Sequence, residues 1–368
     1  LPSRITQPEK HNILFLDQYG DRIGGGQIIL LDVLEKFRAN GNWNVFISLP
    51  EEGKFTRLLA ERGFNYHVIK TWQPAWHQEL KLFDYTNYFF SSLKSSYHIG
   101  KLIKQHDIKT VYCNGGRTFL NGTFLSTMFS LNLFFHLHLL LEKKQKKAVT
   151  ILGKAPGVKS IFAVSKLLEN QYFEDRVSRK IQVVSNWVSP DMLTTERVQR
   201  SLKLTTPIHI GIVGQISKAK GQWRVLEEFL DSATILPIKL MIFGDPLEYE
   251  PAHWNENLKM MDELRQKGWQ VEYMGFYSNK TKIYDQLDIL IIPSLVPESF
   301  GLTAIEAMAR EVVVIANRSG ALVEIIQHSE NGLLYDAMKK GDLVKTLSKV
   351  IEGPFDYVAL KKNGLETV

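Results

Sequence analysis

Two glutamates in residues 297–309, PESFGLTAIEAMA, form the clearest chemical pattern in the sequence. Glu298 and Glu306 are eight positions apart, and the four residues 299–302 between them carry no charge. Carboxylates accept hydrogen bonds from sugar hydroxyls. Glu306 would lie roughly 12 Å, or about two turns, further along a helix. The pair is therefore suited to gripping both ends of an elongated ligand such as a nucleotide sugar, although a surface helix with two solvated glutamates explains the same spacing.

The residues around these glutamates predict a strand followed by a helix. Residues 288–294, DILIIPS, have the continuous apolar character of a buried strand, and residues 300–310 have helical spacing. We expect residues 299–302 to form the first helical turn, whose N–H groups have no partner within the helix and favour a phosphate.

Two glycine-containing loops stand between a predicted strand and a predicted helix. Residues 18–27, QYGDRIGGGQ, include Gly25 and Gly26, which allow a ligand to approach the backbone closely. Residues 214–222, GQISKAKGQ, place Lys220 beside a helix start, where an ammonium could clamp a diphosphate. Neither loop has the dinucleotide fingerprint or the Walker A pattern. A flexible turn and solvated lysines are the alternatives.

Two histidines lie two positions apart in residues 133–139, LFFHLHL, so they share one face of a predicted strand. His138 is near the carboxyl end of the strand, where ligands of parallel sheets bind, and is the functional candidate. His136 is expected to be a core histidine with a backbone partner. Metal ligation needs further ligands, and no carboxylate stands at motif spacing. Because the sequence contains no D-x-D, lysines and helix amino ends must neutralise a diphosphate.

Composition points to an ordinary globular protein of two domains. The 368 residues are 44% apolar and 23% charged, and the single Cys113 excludes an internal disulfide and CxxC zinc sites. Residues 1–190 carry 25 Lys and Arg against 15 Asp and Glu, whereas residues 191–368 carry 20 against 24. The basic half predicts an anionic partner, and no nucleic-acid-binding signature is present.

The chain alternates short apolar runs with amphipathic ones, and the alternation restarts after residue 207. This pattern predicts an α/β protein with two doubly wound parallel sheets facing across a cleft. We expect a first domain over residues 1–194, a second over 195–354, and a last helix over 355–368 that crosses back to the first domain.

Residues 118–141 contain no Lys, Arg, Asp or Glu and are long enough to cross a bilayer. Asn121, Asn132, His136 and His138 interrupt the run, and polar groups in lipid are costly. A buried helix followed by a buried strand is the preferred interpretation. The start, Leu1 to Arg4, also lacks a secretory apolar region, so we expect a reducing, cytoplasmic location.

The motifs together resemble retaining glycosyltransferase family 4. The resemblance is carried by ESFGLTAIE, with its E-x7-E spacing, and by VGQISKAKGQ, VVSNWVSPDML, SGALVEII and ENGLLYD in the second half. GGGQIILLDVL and FFHLHL stand where the family has its glycine-rich loop and its active-site histidine. The resemblance covers residues 12–336 and implies the GT-B fold, two Rossmann-like domains with the donor held mainly by the second.

The resemblance also implies roles for individual residues. The catalytic group comprises His138 near the anomeric centre, Glu298 near the sugar hydroxyls, and Lys220 on the diphosphate. The donor-binding group comprises Gly25, Gly26, Gln215, Ser299, Phe300, Gly301, Leu302, Glu306 on the ribose, and Gly275 and Phe276 near the base. Asn114 is a candidate for acceptor binding. Gln215 stands where many members have arginine, so Lys218 or Arg224 compensates, or Lys220 and the helix dipole suffice.

The implied reaction is hexose transfer from a nucleotide diphosphate sugar, with UDP-glucose as first candidate, to a glycan or lipid-linked acceptor with retention. Exopolysaccharide or envelope synthesis is the expected setting, and no metal or other cofactor is expected. Residues 142–148, EKKQKKA, favour peripheral contact with the inner membrane face, or are a solvated lysine cluster on a loop. A non-catalytic glycan-binding or partner subunit and a sugar-nucleotide epimerase are the alternatives.

Overall fold

The computed structural model describes residues 10–73, 81–172, 177–194, 204–277, 279–353 and 356–368. The chain divides into two compact units, Leu1–Ser185 and Asn186–Val368. Each unit is a parallel sheet with helices in the connections, as the strand and helix alternation predicts.

The amino-terminal unit has a seven-stranded sheet in the order β3-β2-β1-β4-β5-β6-β7 across its described residues. Its strands are β1 His11–Asp17, β2 Trp43–Leu49, β3 His67–Val68, β4 Thr110–Asn114, β5 Asn132–Leu137, β6 Val158–Ala163 and β7 Ile181–Val183. Its helices are α1 Gly25–Asn40, α2 Lys54–Glu61, α3 Leu82–Gln105, α4 Phe119–Met128, α5 Lys143–Leu152 and α6 Lys166–Asn170.

The carboxyl-terminal unit has a six-stranded sheet in the order β10-β9-β8-β11-β12-β13, again counted over the described part of the chain. Its strands are β8 Ile208–Val213, β9 Ile238–Phe243, β10 Gln270–Gly275, β11 Ile289–Ile292, β12 Val313–Asn317 and β13 Leu333–Tyr335. Its helices are α7 Pro190–Thr194, α8 Gln222–Leu230, α9 Pro251–Gln266, α10 Lys280–Tyr284, α11 Leu302–Ala309, α12 Leu322–Ile325, α13 Asp342–Glu352 and α14 Tyr357–Thr367.

The central strands are continuous apolar runs because helices cover both faces of each sheet. All four residues of β11 and all five of β12 are buried, as are the last five of β1. Strand pairing is parallel throughout the described ladders, for example Phe15 opposite Tyr112 and Ile289 opposite Ile210. The strands predicted from apolar runs are confirmed, with ends that differ by a few residues.

The boundary between the units falls earlier than residue 194. Helix α7 belongs to the second unit, where the buried Arg310 donates a hydrogen bond to the Met192 carbonyl at 3.2 Å. Residues 195–203, at the start of the predicted second domain, lie outside the described residues. Helix α14 packs on α11 and β12, and Asn331 donates to Thr367 Oγ1 at 2.9 Å.

The uncharged run over residues 118–141 forms α4 and β5, as the helix-and-strand interpretation predicts. None of the helices in the described ranges is both long enough and apolar enough to cross a membrane. The lysine-rich residues 142–148 are not a loop, which corrects the alternative of a lysine cluster on a loop. They begin helix α5, where Lys146 N donates to the Glu142 carbonyl at 2.8 Å.

Candidate functional site

The second unit brings the lysine loop and the first glutamate together through its sheet order. β8 lies between β9 and β11, so the chain leaves the sheet in opposite directions from β8 and β11. Ligands of doubly wound sheets bind at such a switch point, beyond the carboxyl ends of the strands. The loop holding Lys220 follows β8, and the loop holding Glu298 follows β11.

Lys220 and Glu298 form an ion pair at this switch point. Lys220 Nζ lies 2.6 Å from Glu298 Oε1, and the Ser294 hydroxyl donates to the same carboxylate oxygen. The Glu298 side chain is 19% exposed, so the pair is partly shielded from water. Leu295 N donates to the Ala219 carbonyl at 2.9 Å and joins the two loops. A cation and an acceptor of hydroxyl hydrogen bonds are therefore adjacent at one edge of the sheet.

Hydrogen bonds from the Asn317 side chain and from a backbone N–H hold the Glu298 loop in place. Asn317 at the end of β12 donates to the Ser294 carbonyl at 2.8 Å, and its Oδ1 accepts from Ala337 N at 3.0 Å. Ala321 N donates to the Glu298 carbonyl at 2.8 Å. Such fixed partners keep the carboxylate oriented before any ligand binds, which is the condition for electrostatic preorganisation.

Helix α11 begins at Leu302, so the expectation that residues 299–302 form its first turn is wrong for 299–301. Gly301 has φ +117° and ψ 51°, a left-handed conformation that cannot continue a right-handed helix. Ser299 and Phe300 therefore lie in the approach loop, and Phe300 is buried. Ala304 N donates to the Gly301 carbonyl at 3.0 Å, so the orphan amino-end groups belong to Leu302 and Thr303.

Glu306 is buried inside the second unit, which excludes the solvated-glutamate interpretation. The residue is 5% exposed, and its carboxylate contacts Lys280 Nζ and accepts from the Tyr284 hydroxyl at 2.8 Å. Burial, with the neighbouring negative charge, raises the pKa of Tyr284 well above its ordinary value, so the phenol stays a donor. Each carboxylate oxygen has a second lone pair, which is available for a ribose hydroxyl.

The structure distinguishes among the cations expected to compensate for Gln215. Arg224 donates to the Ala337 carbonyl at 3.0 Å and pairs with Glu227 at 2.9 Å, so its charge serves the fold. Gln215 and Lys218 are exposed at the carboxyl end of β8. Of the three cations considered, Lys220 is the one that contacts Glu298, so we keep the prediction that assigns the diphosphate to Lys220 and the helix.

Gly275 and Phe276 stand at the carboxyl end of β10, two strands away from β8. Gly275 has φ +71°, and a Cβ atom added to it would have no other atom within 4 Å. The Phe276 ring is largely exposed. An exposed ring beside an uncovered backbone is a suitable platform for a planar base, so the predicted position remains consistent with base contacts.

The first unit places a buried hydrogen-bonded network at the ends of β1, β4 and β5. Asn114 Nδ2 donates to Asp17 Oδ2 at 2.5 Å, and Asn114 Oδ1 lies 2.7 Å from His138 Nε2. Gln27 Nε2 donates to Asp17 Oδ1 at 3.0 Å, and Tyr19 N donates to the same oxygen at 2.8 Å. Asn114 is thus a partner of His138, and its predicted acceptor role stays a prediction.

This network fixes the proton on His138. An ionised carboxylate only accepts hydrogen bonds, so the Asn114 amide must point Nδ2 at Asp17 and Oδ1 at the ring. The Nε2 atom of His138 then carries the hydrogen. Burial lowers the pKa of His138 to about 4, so the ring is neutral at physiological pH. Burial likewise raises the pKa of Asp17 to about 6, against the opposing effect of its hydrogen-bond donors.

The glycine-rich loop approaches the His138 ring closely. A Cβ atom on Gly26 would lie 3.2 Å from ring atoms Cδ2 and Cγ, and the Gly26 carbonyl accepts from Asn114 Nδ2 at 3.3 Å. Gly25 is the first residue of α1 and Gly24 precedes it. The structure therefore brings Gly26, Asn114 and His138 into one cluster, as their positions after predicted strands suggest.

His136 is buried as predicted, but its partner is not a backbone group. Its Nδ1 atom lies 2.6 Å from the Tyr112 hydroxyl, because Tyr112 is on the neighbouring strand opposite Phe134, two residues before His136, and so lies on the same face of the sheet. The two histidine rings are 3.9 Å apart, which agrees with a shared strand face. Among the described residues, no group of three or more His, Cys, Asp or Glu side chains is placed to hold a metal ion.

Several residues of these clusters were missed by the sequence reasoning. They are Asp17, Gln27, Lys280, Tyr284, Ser294 and Asn317. A signal existed for Asp17, Ser294 and Asn317, because each is a polar residue at or just beyond the end of a buried strand. Lys280 and Tyr284 had no such signal, since their approach to Glu306 depends on how α10 packs beside α11.

Comparison with solved structures supports the fold. The chain superposes on Anabaena Alr3699/HepE in complex with UDP-glucose with a TM-score of 0.76 over 96% of this chain and 93% of that chain, at 20% identity. Sucrose-phosphate synthase from Thermosynechococcus elongatus gives a TM-score of 0.75 over 97% and 94%, at 17% identity. The chain has the GT-B fold, built from two Rossmann-like α/β units.

Sequence comparison supports the family over the second half of the chain. Sucrose-phosphate synthase 4 of Arabidopsis thaliana is 31% identical over 45% of this chain and 16% of its own length. N-acetyl-alpha-D-glucosaminyl L-malate synthase of Bacillus anthracis is 27% identical over 55% of each chain. The chain thus spans little more than half of these relatives at most. Residues 194–367 match the family model described as glycosyl transferases group 1.

Proposed function

We propose that this protein is a retaining glycosyltransferase that moves a hexose from a nucleoside diphosphate to a hydroxyl of a glycan or lipid-linked acceptor. The observation that carries the proposal is the contact between Lys220 and Glu298 at the switch point of the second sheet. In this proposal Lys220 binds the diphosphate and Glu298 binds the sugar hydroxyls, and both lie within residues 194–367, which match the family model.

The second unit supplies donor binding in this proposal. Lys220 and the amino end of α11 at Leu302 neutralise the charge that develops on the departing diphosphate. Glu298 accepts hydrogen bonds from the sugar hydroxyls, and Glu306 accepts from the ribose. Lys220 has three N–H donors, so it can hold Glu298 and a phosphate oxygen at once.

The first unit supplies His138 for the transferred sugar. The ring is neutral, with its Nε2 hydrogen bound to Asn114, so it would contact the sugar without adding a charge. We assign no carboxylate nucleophile, because Glu298 is committed to hydroxyls. Retention then follows from attack on the same face from which the diphosphate departs. Exclusion of water protects the activated sugar from hydrolysis.

UDP-glucose is our first candidate donor, since HepE was crystallised in complex with UDP-glucose. The Bacillus and Arabidopsis relatives are named as a glucosaminyl malate synthase and a sucrose-phosphate synthase. Because these names imply different acceptors, the acceptor of this protein should be sought in a wide panel of compounds. We favour a saccharide or lipid-linked acceptor of envelope or exopolysaccharide synthesis on the cytoplasmic side. We propose that no metal is required, because lysine and helix groups neutralise the diphosphate.

The test is release of nucleoside diphosphate from a panel of nucleotide sugars, with and without saccharide acceptors. Glu298→Gln should lower release by at least about tenfold, since hydrogen bonds to charged groups contribute roughly 1.5–3 kcal/mol. Glu263→Gln, on the exposed side of α9, is the matched control and should leave the rate unchanged. Addition of EDTA should also leave it unchanged. Failure of every donor, or equal effects of the two substitutions, would contradict the proposal.

A further inference from the structure

Helix α3 in the first unit has reversed polarity in its middle turns, with polar residues buried and aromatic residues exposed. Its middle turns face the interior with serines, and Asn121 of α4 donates to Ser95 Oγ at 2.8 Å and to Ser96 Oγ at 3.0 Å. The same amide donates to the Ser92 carbonyl at 3.0 Å. Small polar residues thus fill the buried side of the middle turns, where a surface helix ordinarily places apolar side chains, whereas Ile99, Leu102 and Ile103 are buried in the last turns.

Large aromatic side chains occupy the outer side of the same helix. Phe83, Phe90 and Tyr97 recur every seven residues, so they form one stripe along the helix. They are 71%, 65% and 61% exposed. Leu82 and Leu93 are also exposed beside them. Single exposed apolar residues are common, whereas a contiguous stripe on a soluble surface marks a site of interaction.

The charges beside the stripe are almost all positive. Lys94, Lys101 and Lys104 lie on exposed positions of α3, and Lys101 Nζ is 4.8 Å from the centre of the Tyr97 ring. The one acid of α3 is Asp84, whose carboxylate accepts from Lys81 N at 2.8 Å in the first turn. A cationic and aromatic stripe is complementary to an anionic surface with an apolar interior.

Helices α3, α4 and α5 pack in succession, so more lysines lie in the same part of the unit. Residues 82–152 carry nine Lys and Arg against three Asp and Glu. Each cation near an anionic leaflet adds favourable electrostatic energy. A protein partner would need acids placed opposite individual lysines, whereas a bilayer only needs surface charge and depth for the aromatic rings.

We propose that α3 is a membrane-docking helix that lies in the plane of an anionic bilayer, with Phe83, Phe90 and Tyr97 inserted at the level of the headgroups. Lys94, Lys101 and Lys104 contact the lipid phosphates. The inference is independent of the proposed glycosyl transfer, since it concerns the surface of the first unit alone.

The first experiment is co-sedimentation of the full chain with vesicles of phosphatidylcholine and phosphatidylglycerol. Replacing Phe83, Phe90 and Tyr97 with serine should lower vesicle binding by at least about tenfold, because each aromatic ring buries a large apolar area. Serine at the exposed Ile235 and Tyr249 of the second unit is the matched control and should leave binding unchanged. Pure phosphatidylcholine should bind the wild type much more weakly.

A second experiment reports insertion directly and does not depend on the triple variant folding. Cys113 is fully buried, and burial raises the pKa of its thiol to about 12, so it resists labelling. Phe90→Cys therefore accepts one environment-sensitive fluorophore. Its emission should shift to shorter wavelength with anionic vesicles, whereas the same label on Met338→Cys, an exposed site of the second unit, should not respond.

Two outcomes would overturn the proposal. One is an unchanged emission of the label at residue 90 with anionic vesicles. The other is a wild-type dimer in sedimentation velocity that the serine variant converts to monomer, without vesicle binding by either, because a second copy would then cover the stripe. The proposal would be supported if vesicle binding weakens by roughly fivefold with each of Lys94→Ala, Lys101→Ala and Lys104→Ala.

Discussion

Asp17 should give the first unit a pH-dependent stability that the Asp17→Asn variant lacks. The carboxylate is 3% exposed at the end of β1, and burial raises its pKa from an ordinary 3.8 to about 6. The folded state therefore holds a proton on Asp17 in a pH range where the unfolded chain has released it. Stability falls as pH rises through this range and is constant above it.

The magnitude follows from the two pKa values. One pKa unit corresponds to roughly 1.4 kcal/mol, so the full difference amounts to about 3 kcal/mol. Between pH 4.5 and pH 7.5 the expected loss is about 2 kcal/mol. The Asp17→Asn variant cannot titrate at this position. Its free energy of unfolding should therefore fall by about 2 kcal/mol less than that of the wild type over the same interval. The comparison of the two slopes cancels the effect of altered hydrogen bonds on absolute stability.

Hydrogen exchange read on peptides from β1 and β4 measures the unfolding free energy of the first unit separately. The exposed Asp107→Asn variant in the same unit is the control and should keep the wild-type pH dependence. Equal pH dependence in wild type and Asp17→Asn would refute the assignment of a raised pKa to Asp17. A stronger pH dependence in the variant would refute the sign of the argument.

Two further predictions concern the clusters around the candidate site. Asn114→Ala removes the acceptor that fixes hydrogen on His138 Nε2. Nitrogen-detected NMR should therefore show only the Nε2–H tautomer in the wild type and a mixture of tautomers in the variant. The same single tautomer in both proteins would contradict the network. Tyr284→Phe removes a buried donor to Glu306 and should lower the free energy of unfolding by roughly 1–3 kcal/mol in urea. Tyr335→Phe is its control, because the buried Tyr335 hydroxyl has no hydrogen-bond partner among the described residues.

The architecture was predictable because each strand of a parallel sheet is a continuous apolar run. The strand predicted over residues 288–294 forms as β11, Ile289–Ile292, and Lys220 and Glu298 stand in loops that follow such runs. The rule that ligands bind beyond strand ends was enough to select those loops. Their direct contact at 2.6 Å needed the sheet order, which no local pattern encodes.

The remaining features depend on tertiary packing. Asp17 and Asn114 are 97 residues apart, and they meet because β1 and β4 are neighbours in the sheet. Glu306 is buried because α10 packs against it. The residue type alone does not indicate this burial, since most glutamates are exposed. The start of α11 was misplaced because a helical propensity over residues 300–310 does not show the left-handed conformation of Gly301.

Calorimetric titration with UDP and UDP-glucose, or with the nucleotide pair selected by the release assay, tests the central claim most directly. Because Lys220 is assigned to the diphosphate and Glu298 to the sugar, Lys220→Met should weaken both ligands by about tenfold or more. Glu298→Gln should weaken only the nucleotide sugar. The account is contradicted if Glu298→Gln weakens both ligands equally, or if Lys220→Met leaves both affinities unchanged.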